Sequence, residues 1–283
     1  MTLQLDLVLL ILLAAFAHAA WNALVKASGD QILTFTMLRA VALAGGTVGA
    51  LLAPLPAAAV WPYLIASALV HNVYYLLLLY SYRHGDLSLV YPIARGGAPV
   101  MLVAIAIPLA GEIPGPSGAL GVALISAGIF ALAFARGLPK GSDGTAIALA
   151  AATAVSVVAY TVIDGLGARR SGNAFGYAAW LFILESLPFL VFAAGWRARA
   201  LVEHTRRAWR RGLAGGLLMM LTYGLVIYAF TQGPLAYVSA LRETSILFAA
   251  IIGAVTLKES FGGRRIAAAA VIVAGIALLQ LGG

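Results

Sequence analysis

Two stretches decide how this chain is built: YSYRHGDLSLVYPIAR, running from Tyr80 to Arg95, and YAFTQGPLAYVSALR, running from Tyr228 to Arg242. Each opens on a tyrosine, turns at a glycine (Gly85, Gly233) and resumes at a leucine (Leu87, Leu235). With one residue skipped in the second stretch, both close on an arginine. The correspondence extends in both directions. Upstream, Tyr75 faces Tyr223, and Trp21 and Asn22 face Tyr160 and Thr161. Downstream, Glu112 faces Glu259, and Ala127, Gly128 and Ile129 face Ala274, Gly275 and Ile276. Recurrence of like residues in the same order along a chain marks an internal repeat. The first copy is expected over residues 1–138 and the second over 139–283.

Composition says what each copy is made of. The 283 residues are 63% hydrophobic and 10% charged, where a soluble domain carries roughly 25% charged residues to face water. The outer surface must therefore meet lipid. Ten apolar runs reach the length of about 20 residues that a spanning helix needs: 5–25, 32–52, 62–82, 87–109, 117–134, 146–166, 175–194, 213–230, 235–257 and 266–281. Short connections with turn residues separate them, such as Ser28-Gly29-Asp30 and Pro114-Gly115-Pro116. None alternates with a period of two, as the strands of a membrane barrel would. The first run has no basic residue before it and continues through Trp21 to Val25, which reads as a spanning helix rather than a signal peptide. The expected fold is an all-α integral membrane protein of ten transmembrane helices in two five-helix repeats. Five is odd, so the second copy must enter the membrane upside down. Inverted repeats of this kind are the architecture of carriers that work by alternating access.

Polar groups at membrane depth are costly, and each calls for a reason. His18, Trp21 and Asn22 share one face of the first run, and His71 and Tyr75 lie one turn apart in the third with Asn72 beside them. Tyr91 and Arg95 open the fourth run, and Tyr160 and Asp164 lie one turn apart in the sixth. Tyr223 stands in the eighth, and Ser239, Arg242 and Glu243 in the ninth. These runs (first, third, fourth, sixth, eighth and ninth) are expected to line one central cavity. The fifth and tenth are rich in small residues, which suits close helix packing. Such a lining suits an amphiphilic zwitterion. Arginine holds a carboxylate with two parallel donors, and tyrosine and tryptophan take an apolar or aromatic side chain or face an ammonium group.

Structural readings stand beside these. The histidines could be hydrogen-bond partners between helices, and Arg95 and Arg242 lie near enough to helix starts to reach water. Arg39 and Glu185 read as structural charges, and Tyr80, Tyr82, Tyr228, Trp61 and Trp180 as residues of the membrane-interface belt.

Several classes of function drop out. The chain has no cysteine, so disulfides and thiolate metal sites are excluded. It has no G-x-x-x-x-G-K-[ST] nucleotide loop and no H-E-x-x-H metal spacing. An enzyme, the rival class, would need a nucleophile–base pair or a metal cluster at depth. A channel would need a ring of like charge or a carbonyl filter. No cofactor and no metal are expected, and the net charge of +8 belongs to interfacial loops rather than to a nucleic-acid surface. The expected partners are a small-molecule substrate and the lipid bilayer of the inner (plasma) membrane. Nothing in the sequence sets an oligomeric state, and a monomer is compatible with it.

The same residues resemble the drug/metabolite transporter superfamily, in particular its EamA-type members with ten helices. The resemblance is carried by His18-Ala19-Ala20-Trp21-Asn22 with Lys26, by Arg39, by Gly111-Glu112 and Lys258-Glu259 closing the fourth and ninth runs, and by the small-residue helices that follow. It implies a secondary carrier that exports amino acids, aromatic ones among them. Phosphonate-related or drug-like compounds are the alternative. Small multidrug resistance proteins, distant four-helix relatives, carry a membrane glutamate before a lysine in their first helix. His18 stands at that spacing before Lys26 here, so the resemblance does not extend to their proton-for-drug exchange.

Basic residues sort unevenly. The odd-numbered connections carry Lys26, Arg83, Arg136, Lys140, the cluster from Arg197 to Arg211, Lys258, Arg264 and Arg265, while the even-numbered ones carry little beyond Arg169 and Arg170. The positive-inside rule then places both termini outside and the stretch Arg206 to Arg211 beside cytoplasmic headgroups. The resemblance implies the opposite, with both termini in the cytoplasm.

Overall fold

A computed structural model describes residues 3–84, 87–134, 144–257 and 262–281 and, within them, the side chains of all but 78–84, 87–93, 106–107, 146, 254 and 256–257. Among the described residues the chain is helical between short connections and has no strand. The helices are α1 (Leu5–Lys26), α2 (Gln31–Leu52), α3 (Trp61–His84), α4 (Leu87–Ala110), α5 (Pro116–Ala133), α6 (Gly144–Ser171), α7 (Ala174–Gln232), α8 (Leu235–Glu243), α9 (Ser245–Leu257) and α10 (Gly263–Leu281). Their ends follow local chemistry. The Asp30 carboxylate accepts the Leu33 N–H at 3.0 Å and starts α2. The Asn173 side chain accepts the Gly176 N–H at 3.0 Å and starts α7, as N-capping side chains do. Gly172, between α6 and α7, has φ +62°, a left-handed conformation that glycine adopts without strain.

The seventh and eighth apolar runs are two limbs of one 59-residue helix, α7. A straight helix of that length would extend roughly 90 Å, far more than one bilayer. Non-helical dihedrals at Arg197 (φ −140°, ψ 39°) and Ala208 (φ −122°, ψ 17°) let it double back. Both limbs accordingly pack on α2: Gly46 of α2 lies against the Ala179 carbonyl, and Leu38 against Gly215. The ninth run is broken too. Thr244 separates α8 from α9, and its hydroxyl donates to the Leu241 carbonyl at 2.6 Å. The Thr244 N–H donates to the same carbonyl at 3.1 Å, and the Thr244 carbonyl accepts the Leu247 N–H at 2.9 Å, so the backbone stays paired across the break, as a water-free interior requires. With these two adjustments the chain crosses the membrane ten times. The face at which α1 begins and α10 ends is here the first face. The bend of α7 lies on the second.

Packing is densest where glycines let backbones approach. α5 lies on α10, α3 and α4 lie on α6, and α1 lies on α7. A Cβ added to Gly275 would sit 2.8 Å from the Gly121 carbonyl oxygen and 2.9 Å from the Ile125 nitrogen. One added to Gly128 would sit 2.9 Å from the Ala268 carbonyl oxygen and 3.1 Å from the Ile272 nitrogen. These two contact sets exchange under the sequence pairing of Gly128 with Gly275, which also pairs Gly121 with Ala268 and Ile125 with Ile272. Leucines and phenylalanines such as Leu9, Leu13, Phe16, Leu51 and Phe192 stay exposed on the outside, as a lipid-facing surface requires.

Candidate functional site

The break between α8 and α9 carries an ionic centre. At 1.5 Å per residue, Arg242 lies about 10 Å into α8 from the first face, and Arg95 about 12 Å into α4 from the second. They meet on Glu243. Arg95 Nη1 donates to Glu243 Oε1 at 3.1 Å. Arg242 donates to the same oxygen through Nη2 at 2.9 Å and Nε at 3.2 Å. All three side chains are buried, so neither arginine reaches toward water as its distance from a helix start would allow. A shared buried carboxylate holds both. The other oxygen, Glu243 Oε2, has no hydrogen-bond partner among the described residues, and neither has the buried Ser239 hydroxyl one turn earlier.

His18 completes this end. Arg95 Nη2 lies 2.8 Å from His18 Nε2. A guanidinium can only donate, so Nε2 accepts and the ring proton sits on Nδ1. Trp21 holds the imidazole edge-on, with ring centroids 5.0 Å apart.

A second polar group fills the interior beside the first. Arg39 of α2 pairs with Glu185 of α7 at 2.7 Å, both buried. Tyr75 is hydrogen-bonded to Arg39, and the guanidinium faces the Tyr75 ring at 4.5 Å and the Phe35 ring at 5.0 Å. His71 Nδ1 lies 3.1 Å from Glu185 Oε1 and 3.0 Å from the Ser67 carbonyl. Asp164, fully buried, accepts the Tyr177 hydroxyl at 2.9 Å and also that of Tyr223.

Tyr160 joins the two groups. Its ring stacks on His71, with centroids 4.0 Å apart and planes at 25°, and the Arg242 guanidinium lies 5.6 Å from its centroid. A closed circuit of contacts results. It runs from His18 to Trp21, then Phe35 (6.2 Å), Tyr75 (5.4 Å), His71 (6.4 Å) and Tyr160. Arg242, Glu243 and Arg95 lead it back to His18. Six helices contribute: α1, α2, α3 and α4 from the first half of the chain, α6 and α8 from the second. One arc of the circuit is ionic and the rest is aromatic.

Of the residues expected at a site, the structure brings together His18, Trp21, His71, Tyr75, Arg95, Tyr160, Asp164, Tyr223, Ser239, Arg242 and Glu243. Asn22 and Asn72 stand apart, each donating to its own helix at 2.8 Å, to the His18 and Ala68 carbonyls. The side chain of Tyr91 lies outside the described residues, as do those of Tyr80 and Tyr82. Arg39 and Glu185, read from the sequence as structural charges, touch Tyr75 and His71, so the second and seventh runs join the polar interior. The signal was present in each: a lone charge inside an apolar run, with Phe35 one turn ahead of Arg39. Tyr177 carried no such signal. Trp61 and Trp180, expected in the interface belt, are half-buried against each other at 4.9 Å, whereas Tyr228 is exposed.

Comparison with known proteins bears on the fold. Residues 144–281 match the profile of a family described as the EamA-like transporter family. A solved structure titled only "Crystal structure of protein" is similar, with a TM-score of 0.75 and 19% identity, covering 97% of this chain and 95% of that one. At that identity the likeness concerns the fold alone. No curated protein matches the sequence.

Proposed function

We propose that this chain, whose residues 144–281 match the EamA-like transporter family, is a membrane-embedded transporter of small molecules rather than an enzyme, and in particular a secondary active exporter of amino acids, aromatic ones among them. The observation that carries the reading is the closed circuit of side chains. An amino acid needs a cation for its carboxylate, an acceptor for its ammonium group and an apolar wall for its side chain. Arg95 and Arg242 are the cations, the unpartnered Glu243 oxygen and Ser239 hydroxyl are the acceptors, and Trp21, Phe35, Tyr75 and Tyr160 are the wall. The guanidinium fork suits a carboxylate, and offset aromatic faces suit an aromatic side chain.

The proposed mechanism is alternating access by two inverted repeats, 1–138 and 139–283. The exchange of glycine contacts between α5 and α10 supports it, since a two-fold relation between the halves would produce that pattern. Ion pairs between the halves on opposite faces support it as well. At the first face Arg169 donates to Glu112 at 2.6 Å and to the Gly233 carbonyl at 2.8 Å, while Glu112 accepts the Leu235 N–H at 2.7 Å. At the second, Arg197 donates to Asp30 at 2.7 Å, and Thr34 and His204 share a hydrogen bond of 2.9 Å. A carrier that rocks would open one set while the other holds. In the inner membrane the basic second face would be cytoplasmic.

Counterflow of a labelled aromatic amino acid into proteoliposomes tests the function, and Arg95→Lys and Arg242→Lys test the recognition. Lysine keeps the charge and loses the fork, so binding should weaken about tenfold or more in folded protein. Wild-type affinity in both variants, or equal binding of the matching amine without a carboxylate, would remove arginine from the recognition scheme.

A further inference from the structure

The bend of α7 has a face that the transport reading does not use. Between Trp196 and Arg211 lie six arginines and one acid, Glu203. Arg197 is paired with Asp30, and Arg207 with Glu203. Arg199, Arg206, Arg210 and Arg211 are exposed, with no ion pair among the described residues. The dihedral breaks at Arg197 and Ala208 isolate a short helical piece, residues 198–207. One stripe of the bend, Arg197, Leu201, His204 and Ala208, turns inward toward Asp30 and Thr34 of the α2 start. The opposite stripe, at spacings of three and four, reads Trp196, Arg199, Val202, Arg206 and Trp209. All five are exposed, the two tryptophans at 59% and 53%. Arg197 lies 5.7 Å from the Trp196 ring and Arg210 5.4 Å from the Trp209 ring.

This pattern has a specific partner. Both limbs of α7 enter the membrane from the bend, so the bend lies at headgroup depth. There, tryptophan seats at the boundary between acyl chains and headgroups, and arginine pairs with phosphate by its planar fork. A stripe that alternates the two over about three turns fits a lipid surface of negative charge. We infer that the outward stripe of the α7 bend, together with the exposed Arg210 and Arg211 that follow it, is a docking surface for anionic phospholipid headgroups, Arg199, Arg206, Arg210 and Arg211 pairing with phosphate while Trp196, Val202 and Trp209 seat in the boundary. The opposite stripe ties the same bend to the start of α2, the helix that carries Phe35 and Arg39.

The test uses the full chain in vesicles of three parts phosphatidylcholine to one part phosphatidylglycerol, with brominated acyl chains on one lipid or the other. The difference in quenching between wild type and Trp196→Phe/Trp209→Phe isolates the two tryptophans of the bend. Brominated phosphatidylglycerol should quench them several-fold more per mole fraction than brominated phosphatidylcholine. The preference should fall to parity in Arg199→Gln/Arg206→Gln/Arg210→Gln/Arg211→Gln, which keeps both tryptophans. Should that variant fail to insert, about 0.5 M salt on the wild type should abolish the preference equally, because exposed charges are screened at that strength. Equal quenching by both lipids in the wild type would overturn the inference. So would quenching by neither, as expected if the surface instead meets an acidic protein or a nucleic acid, or a preference that survives the loss of the arginines or their screening.

Discussion

Replacing Glu243 by glutamine changes one charge and almost no volume at the centre of the molecule. Two guanidiniums reach the same oxygen, at 3.1 and 2.9 Å, so their charges lie within about 6 Å of each other. At an effective dielectric constant of about 20, each attraction to Glu243 is worth about 5 kcal/mol, and the mutual repulsion of the arginines costs about 3 kcal/mol. Glutamine keeps an oxygen that can accept from both arginines, removes both charge–charge attractions and keeps the repulsion. The desolvation of the carboxylate is recovered in part, which brings the net loss to the range of about 3–5 kcal/mol seen when one partner of a buried pair is removed. Thermal unfolding in detergent should show a loss of that size in Glu243→Gln. A substrate carboxylate would replace the missing charge, so an aromatic amino acid should stabilise this variant more than it stabilises the wild type, and the matching amine should not. Arg242→Met/Glu243→Gln, with one cation fewer, should regain stability relative to Glu243→Gln alone. A variant as stable as the wild type, or a double variant less stable than the single one, would refute the ionic account. Stabilisation by the amine equal to that by the amino acid would refute the carboxylate role.

Three further outcomes are expected. Gly128→Ala and Gly275→Ala should each lower stability by about 1–3 kcal/mol, through overpacking against backbone, and by similar amounts, whereas Gly224→Ala, with nothing within 4 Å of an added Cβ, should leave the melting temperature unchanged or raise it slightly through helix propensity. The Leu33 N–H and, after it, Arg197 hold the Asp30 carboxyl below its ordinary value. A depressed acid contributes in full above its ordinary value, and the contribution fades as pH falls through the lower folded one. The melting-temperature difference between wild type and Asp30→Asn should thus stay constant from pH 8 to 5 and close only below about pH 4. A cysteine at the exposed Thr205, in a chain with no other cysteine, should resist membrane-impermeant thiol reagents in intact cells. Rapid labelling would place the second face outside.

The sequence by itself determined the class of the protein and the extent of its apolar runs, because burial in lipid is a property of each run of about 20 residues taken alone. It also showed which residues are costly at depth. Arg95, Arg242, Glu243, His18 and Asp164 stand out against any apolar background, whatever their partners. Tertiary structure decided the rest. That Arg95 and Arg242 share Glu243, rather than reaching water, depends on α4 packing against α8, which no local signal announces. Arg39 and Glu185 become part of the interior only because α2 packs on α7 and α7 on α3, which brings Arg39 to Tyr75 and Glu185 to His71. Phe35 and Tyr177 look like any aromatic residue in an apolar segment until helix packing brings them against Arg39 and Asp164. The bend of α7 is read differently once folded: a run of arginines in the sequence becomes two stripes, one turned to Asp30 and Thr34, the other outward, because helical geometry sorts residues by spacing and the fold then chooses which face is covered.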